Sequence, residues 1–280
     1  MKHPLLAFVH VEKAAGTTLI YLLRRNYLLR YLDVRPLHAG SDGLFTAEDL
    51  RTCLRLNPFL QCIGGHAVKP FGDLDEVCPD VRYVTLLRDP VQRYLSQYRY
   101  WISTLGKGWT FERFLDHKPS HNFQTRKLAG SDDVEAAKRM LAERFFLTGV
   151  AERFDEFLVM LQAKLRPTPF DPTYTRRNVA ASDADGGTSK HLALHEERIR
   201  ANNACDLELY RYVVEELLPG HRAQHGNDLA AEVERLQASH GNDERIGGRL
   251  LFDAVCRKAY YEPTTGLLRR LQGLPMKGSY

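Results

Sequence analysis

The 280-residue chain has no Cys-x-x-Cys pair, and its five cysteines, Cys53, Cys62, Cys78, Cys205 and Cys256, are odd in number and widely scattered. That pattern excludes a zinc ribbon and a disulfide framework and reads as reduced thiols of a cytosolic protein. No apolar run approaches the roughly 20 residues needed to span a bilayer, and no N-terminal stretch has the order of a signal peptide. Internal repeats and low-complexity tracts are absent too. Excess charge is scarce: 39 Lys and Arg against 35 Asp and Glu leave +4, far below the basic excess of a dedicated nucleic-acid binder. The Walker A pattern Gly-x-x-x-x-Gly-Lys-Ser/Thr occurs nowhere, and no Walker B carboxylate follows a later strand, which disfavours a magnesium-dependent NTPase. What is present is an ordinary globular composition, 44% hydrophobic and 26% charged, enough for one large α/β domain or a domain with a helical extension.

Leu5 to Val11 is a short apolar run bounded by a turn at Gly16, the pattern of a parallel strand buried on both faces. His10 lies within it and is expected to be a satisfied core residue. Leu19, Leu22, Leu23, Leu29 and Leu32 then recur at helical spacing. A helix around Ala47 to Leu56 leads to a strand at residues 61–66 that ends in a glycine-rich turn. The clearest strand, Val81 to Leu87, runs into Arg88-Asp89-Pro90, where Asp89 can cap the following helix and Pro90 suits its first position. Phe145 to Val150 reads as a further strand and Arg153 to Leu165 as a helix. Pro167 to Ser189 is expected to be a long irregular loop or lid, with helices at His195–Leu218 and Leu229–Ser239 beyond it. Alternation of this kind predicts a parallel sheet covered by helices, with ligands bound beyond the carboxyl ends of its strands. The turns at residues 12–18, 64–66 and 88–96 all follow strands and are expected to face one crevice.

The first turn, "HVEKAAGTTL", combines a helix N-terminus with Lys13, Gly16, Thr17 and Thr18. Unpaired N–H groups and the helix dipole attract phosphate or sulfate, glycine permits close approach, and the lysine adds a point charge. Taken singly, the pattern is also that of a solvated lysine before an ordinary helix. The second turn, "RDPVQRYLSQYRY", sets Arg88 at a strand end and places Arg93 and Ser96 three residues apart on one helix face. An arginine fork with a hydroxyl suits a second phosphate. Two anion sites imply one ligand with two anionic ends.

These two motifs, together with "IGGHAVKPFG", "HNFQTRKLAG", "LTGVAERFDEFL" and "NNACDLELYRYV", resemble the sulfotransferases that use 3′-phosphoadenosine 5′-phosphosulfate (PAPS). The closest likeness is to the carbohydrate group with the heparan sulfate 2-O-sulfotransferases and bacterial relatives. The resemblance implies an α/β, P-loop-like three-layer fold with a central parallel sheet and a C-terminal helical extension, as a single domain over 1–280 with its core at about 5–218 and the extension at about 219–280. It implies that Lys13, Ala15, Gly16, Thr17 and Thr18 hold the 5′-phosphosulfate and that Arg88 and Ser96 hold the 3′-phosphate, with PAPS as donor, PAP as product and no metal.

Glu12 stands where many relatives have proline and is given no binding role; its charge is tolerable there if it points outward or pairs with a cation. Of the family's His-Gly-His only the second histidine is present, as His66 in Gly64-Gly65-His66. His66 is the expected base, with a carboxylate as the other candidate, because a histidine titrates near neutrality. Lys13 is expected to meet charge on the departing phosphate. Asn122, Gln124 and Arg126 are expected on the acceptor side, where Arg126 or Lys127 could hold an anionic sugar; a plain hydrogen-bonded loop stays open there. Arg176, Arg177 and Asn178 could close over the nucleotide. Tyr94, Tyr98, Tyr100 and Trp101, at helical spacing, read as core with one or two shaping a sugar subsite, while Asp155 and Asp206 read as local caps.

The expectation is therefore a bacterial, cytoplasmic sulfotransferase acting on a saccharide or glycoconjugate hydroxyl, without nucleic acid and without an integral membrane segment. Membrane-anchored relatives begin with a spanning helix, whereas this chain begins almost at its first strand. Two other readings are a kinase-like nucleotide phosphotransferase with an atypical phosphate loop and a non-catalytic nucleotide-binding module.

Overall fold

The computed structural model describes residues 4–174, 187–239, 251 and 254–275. Arg176, Arg177, Asn178 and the Gly241-Asn242 break lie outside them. Five parallel strands form one sheet in the order β2-β3-β1-β4-β5. β1 (Leu5–Val9), with every residue buried, is its centre. β1 pairs with β3 (Cys62–Gly65) on one side and with β4 (Val81–Leu87) on the other. The strand order thus reverses at β1, and a crevice opens beyond its carboxyl end. This is the expected three-layer α/β architecture.

The helix after β1, α1 (Gly16–Tyr27), stops earlier than the leucine spacing suggests, at Leu28 with φ 50°. Leu32 then lies in β2 (Tyr31–Asp33), an edge strand paired to β3. A strand of three residues has no period of its own, and Leu29 and Leu32 happened to extend the helical one. The other early elements fall where the pattern placed them: α2 (Ala47–Leu56), α3 (Pro90–Ser103), β5 (Phe145–Val150) and α7 (Phe154–Lys164), with α4 (Phe111–Leu115), α5 (Phe123–Ala129) and α6 (Val134–Arg144) between β4 and β5. Asp89 caps α3 by accepting from Gln92 N–H at 2.8 Å.

The expected lid is shorter than 167–189 because α8 (Gly187–Asn202) begins within it, kinked at His195. A break at Asn203 starts α9 (Ala204–Tyr212), which passes through the wider turn Val213–Leu217 into α10 (Leu218–His225). α11 (Leu229–Ala238) adds Leu229 and Leu236 to the core that includes β1 and β4, and α12 (Glu262–Leu271) closes the described chain. A second cluster, Val91, Tyr94, Leu95, Phe111, Phe114, Leu115 and Ile199, with Tyr98 and Trp101 against it, absorbs most of the aromatic stripe of α3. Among the described residues no helix is long and apolar enough to cross a membrane, and all five cysteines are free.

Candidate functional site

The loop between β1 and α1 carries its chemistry in its backbone. Lys13 and Ala15 both have positive φ, 67° and 61°, while Ala14 between them does not. Alternation of this kind turns successive N–H groups toward one point and makes an anion-binding concavity. Each left-handed non-glycine residue costs about 1–2 kcal/mol, a strain that clusters at functional sites. Ala15 is the N-cap of α1 and offers no side-chain acceptor, so none of the helix's first amides is bonded to its cap side chain. Thr17 is exposed and Thr18 half-buried at the same end.

Across the switch point Arg88 leaves β4 and donates from Nη1 to the carbonyl of Lys13 at 3.1 Å, joining the two turns. Burial first, then the charges of Arg88 and Arg99, lower the Lys13 pKa; burial, aided by Arg99, lowers that of Arg88 against the opposing charges of Glu152 and Asp89. Three cations therefore sit close enough to repel one another. Such a cluster is relieved by a multiply charged anion. Arg99 lies one helical turn beyond Ser96, and this i,i+3 relation was the available signal for it. Ser96 is nearly buried on the same helix, and the Nζ of Lys13 lies 4.4 Å from the ring centre of Tyr100.

The third turn, after β3, brings His66 to the same edge. Gly65 has φ 151°, and a Cβ there would meet the Val34 carbonyl oxygen at 2.8 Å. His66 Nδ1 is 2.8 Å from Glu12 Oε1. Glu12 also accepts from Lys127 Nζ at 3.1 and 3.2 Å. Burial alone would raise the Glu12 carboxyl, but the close approach of His66 and the Lys127 charge outweigh it and hold the group well below the usual carboxylate range. The charge at position 12 is thus paired. His66 stacks on His10 with ring centres 4.3 Å apart.

His10 is buried as expected, but it stands just past β1 and its Nδ1 has no hydrogen-bond partner, so it is not the satisfied core residue of the sequence reading. Burial, then the neighbouring His66, pushes its pKa down to about 3. Half-buried Lys69 completes the group: burial and the adjacent Lys127 bring its amine down to about 7. Arg99 and Lys69 were not singled out from sequence, and His10 and Tyr100 were read there chiefly as core, because each acquires its setting from a distant element.

The structure brings Lys13, Ala15, Gly16, Thr17, Thr18, Arg88 and His66 to one edge of the sheet. The α5 residues are arranged differently. Gln124 is wholly buried, its Oε1 accepting from Arg88 N–H and its Nε2 donating to the Arg88 carbonyl, both at 2.9 Å. Asn122 Oδ1 accepts from Cys205 N–H. Arg126 forms a bidentate pair with Asp132 at 2.7 and 2.8 Å. Asp206, from α9, caps α5 by accepting from the N–H groups of Gln124 and Thr125 and from the Thr125 hydroxyl, so its role is long-range and not local. Among the described residues no His, Cys, Asp and Glu cluster has the make-up of a metal site.

The α/β fold thus sets Lys13, Arg88 and His66 together beyond the carboxyl ends of β1, β4 and β3. No protein-family model matches the chain. It is 26% identical over 243 residues to galactose-3-O-sulfotransferase 3 of Mus musculus, covering 75% of this chain and 55% of that protein. It is 28% identical over 240 residues to the Bos taurus enzyme of the same name, covering 75% and 56%. To galactosylceramide sulfotransferase of Bos taurus it is 23% identical over 290 residues, covering 92% and 68%. These similarities support a sulfotransferase family, and the chain spans little over half the length of the galactose-3-O-sulfotransferases. The cytoplasmic location expected from the sequence is corrected. The similarity is to animal enzymes named for galactose and for galactosylceramide, and with so much of the galactose-3-O-sulfotransferases' length unmatched the position of β1 says nothing about what precedes it.

Proposed function

We propose that this protein transfers the sulfuryl group of PAPS to a hydroxyl of a galactose-bearing saccharide or glycolipid. The observation that carries the reading is the meeting of the left-handed Lys13–Ala15 loop, the Arg88 fork and the Glu12-bound His66 beyond β1, β4 and β3. The motif likeness to the heparan sulfate 2-O-sulfotransferases supports the same donor, and the curated relatives favour a galactose acceptor. Residues 5–218 would carry this machinery, with the extension from about 219 onward, whose α11 packs Leu229 and Leu236 into the core, as part of one domain.

In this reading the loop amides of Gly16 and Thr17, the Thr17 and Thr18 hydroxyls and Lys13 hold the 5′-phosphosulfate, and Arg88 with Ser96 holds the 3′-phosphate. His66 takes the proton of the acceptor hydroxyl as its oxygen forms the new S–O bond. The electron pair of the broken bridging S–O bond stays on the phosphate of PAP, where Lys13 and the amides meet the charge. Preorganised dipoles and charges supply most of such a barrier reduction.

The test is incubation of the purified chain with sulfur-labelled PAPS and either galactosylceramide or galactose-terminated oligosaccharides. Label is expected in the galactose, with Lys13→Ala cutting turnover far more than PAP affinity. Arg88→Ala is expected to weaken PAP binding by about 1.5–3 kcal/mol, the worth of a charged hydrogen bond. Absence of PAP binding, or phosphate transfer from magnesium-ATP in its place, would overturn the reading in favour of a kinase-like enzyme.

A further inference from the structure

We propose that Arg93 strengthens donor binding without touching the donor, as a buried cation with no bonded counter-charge whose field falls on the phosphates of PAPS; this inference rests on the sulfotransferase reading. Arg93 shares a face of α3 with Ser96, a setting that suggests direct contact with a phosphate. Its side chain is instead wholly buried, at 0% exposure. Cζ lies 4.7 Å from the ring centre of Phe123, the first residue of α5, and Nη2 donates to the Ser120 carbonyl over a long 3.4 Å. Among the described residues neither Nε nor Nη1 has a hydrogen-bond acceptor.

A guanidinium keeps its proton even in a protein interior. Burial disfavours the charge, and the carboxylates that favour it are Asp206 and Glu12. Both are engaged elsewhere, Asp206 by Gln124 and Thr125 and Glu12 by Lys127. Among the described residues no carboxylate bonds to Arg93. Arg88 is close enough to add repulsion, and Lys13 and Arg99 crowd Arg88 in turn. An ion taken out of water without a bonded partner destabilises a fold, and an apolar side chain of similar volume often does as well or better in its place. Packing alone therefore does not account for an arginine here. A donor with two anionic ends does, because its phosphates would meet a charge that water does not solvate and salt screens little. At about 10 Å and an effective dielectric constant near 20, one such charge changes the affinity for a singly charged group roughly 10–20-fold.

The test compares the wild type with Arg93→Met, which removes the charge and keeps the bulk, and with Arg93→Lys, which keeps the charge. Calorimetry reads Tm without ligand, titration reads PAP affinity at low and high salt, and steady-state kinetics separate KM from kcat. Arg93→Met is expected to melt no lower than the wild type and to bind PAP roughly 10-fold more weakly at both salt concentrations. KM for PAPS should rise with it, while kcat and the acceptor KM stay within about 2-fold, the signature of lost uniform binding. Arg93→Lys should recover most of the affinity. An arginine that merely braces α3 against α5 would give a different pattern, a lower Tm and an acceptor KM that moves as well. A lower Tm or a failure to fold in Arg93→Met, unchanged PAP affinity, a loss that high salt abolishes, or no recovery in Arg93→Lys would overturn the proposal. If the wild type itself binds no PAP, the sulfotransferase reading fails and the proposal with it; wild-type binding matched by Arg93→Met removes the proposal alone.

Discussion

Gly16→Ala is a small change with a calculable cost. A Cβ at residue 16 would stand 2.0 Å from His10 Nε2 and 2.1 Å from Cδ2, where carbon and nitrogen pack at about 3.5 Å. The His10 ring would have to retreat by more than an ångström, yet it is 8% exposed and lies between Phe8 at 5.3 Å and His66 at 4.3 Å. Overpacking of a confined site costs about 1–3 kcal/mol, and the upper part of that range applies because the ring has no free side. Alanine at the start of α1 gives back up to about 1 kcal/mol of helix propensity. The net is a loss of about 1–2 kcal/mol, or roughly 2–8 °C in Tm at 2–4 °C per kcal/mol for a chain of this size. Calorimetry of Gly16→Ala, His10→Ala and the double variant checks it. With the His10 ring removed, Gly16→Ala should become neutral or slightly stabilising. Equal destabilisation in both backgrounds, or an unchanged Tm in the single variant, would refute the claim that the ring and the loop share one tight space.

Other outcomes follow from the same cluster. Because the folded pKa of His10 is about 3 and the unfolded one about 6.5, the unfolded chain binds a proton that the folded chain refuses. Stability is therefore fully present above about pH 6.5 and falls on acidification by up to about 1.4 kcal/mol per pH unit. Urea unfolding at pH 7, 6 and 5 should show a shallower decline for His10→Phe, and identical slopes would remove His10 from the account; the share of Glu12 begins only below its unfolded pKa of about 4.5, since its folded value is depressed. The Lys69 amine, brought to about 7, should be acetylated by an N-hydroxysuccinimide ester at pH 7.5 ahead of Lys138, whose pairs with Glu135 and Glu208 raise its pKa; peptide mass spectrometry reads the order, and the reverse order would contradict the Lys127 neighbour. Gln124→Leu should leave the Arg88 N–H and carbonyl unpaired, at about 1–3 kcal/mol for each buried group, and should weaken PAP binding by displacing Arg88; unaltered PAP affinity in a calorimetric titration would show that Arg88 needs no such support.

The sheet was legible because its central strands are apolar runs that end in chemically marked turns. Val81 to Leu87 and Phe145 to Val150 coincide with β4 and β5, and Asp89-Pro90 marks the start of α3 through a cap and a fixed φ. β2 was not legible, because pairing with β3 and not any local periodicity makes Tyr31–Asp33 a strand. The convergence of the turns at residues 12–18, 64–66 and 88–96 followed from parallel topology and is realised in the Glu12–His66 and Lys13–Arg88 contacts. Their supporting residues were not readable. Position 12 alone suggests a misplaced charge, and only the arrival of Lys127 from 115 residues further on makes it an anchor. Likewise, Gln124 reads as a polar loop residue until Arg88 is seen on both its amide atoms.

The buried polar links form one connected support that explains why so irregular a loop can persist. Asp206 on α9 fixes the first turn of α5 through Gln124 and Thr125. From that turn Gln124 holds the Arg88 peptide from both sides. Arg88 in turn anchors the carbonyl of Lys13, one of the two left-handed residues. On the other flank Lys127, also on α5, holds Glu12, which holds His66. The two arms start on the same short helix and end on opposite sides of the Lys13–Ala15 loop. Each link is worth about 0.5–1.5 kcal/mol net, or more where a charge takes part, which is the scale needed to offset two strained residues at about 1–2 kcal/mol each. A loop set in this way meets a ligand without reorganising, so the strain is borne in folding and not at the moment of transfer.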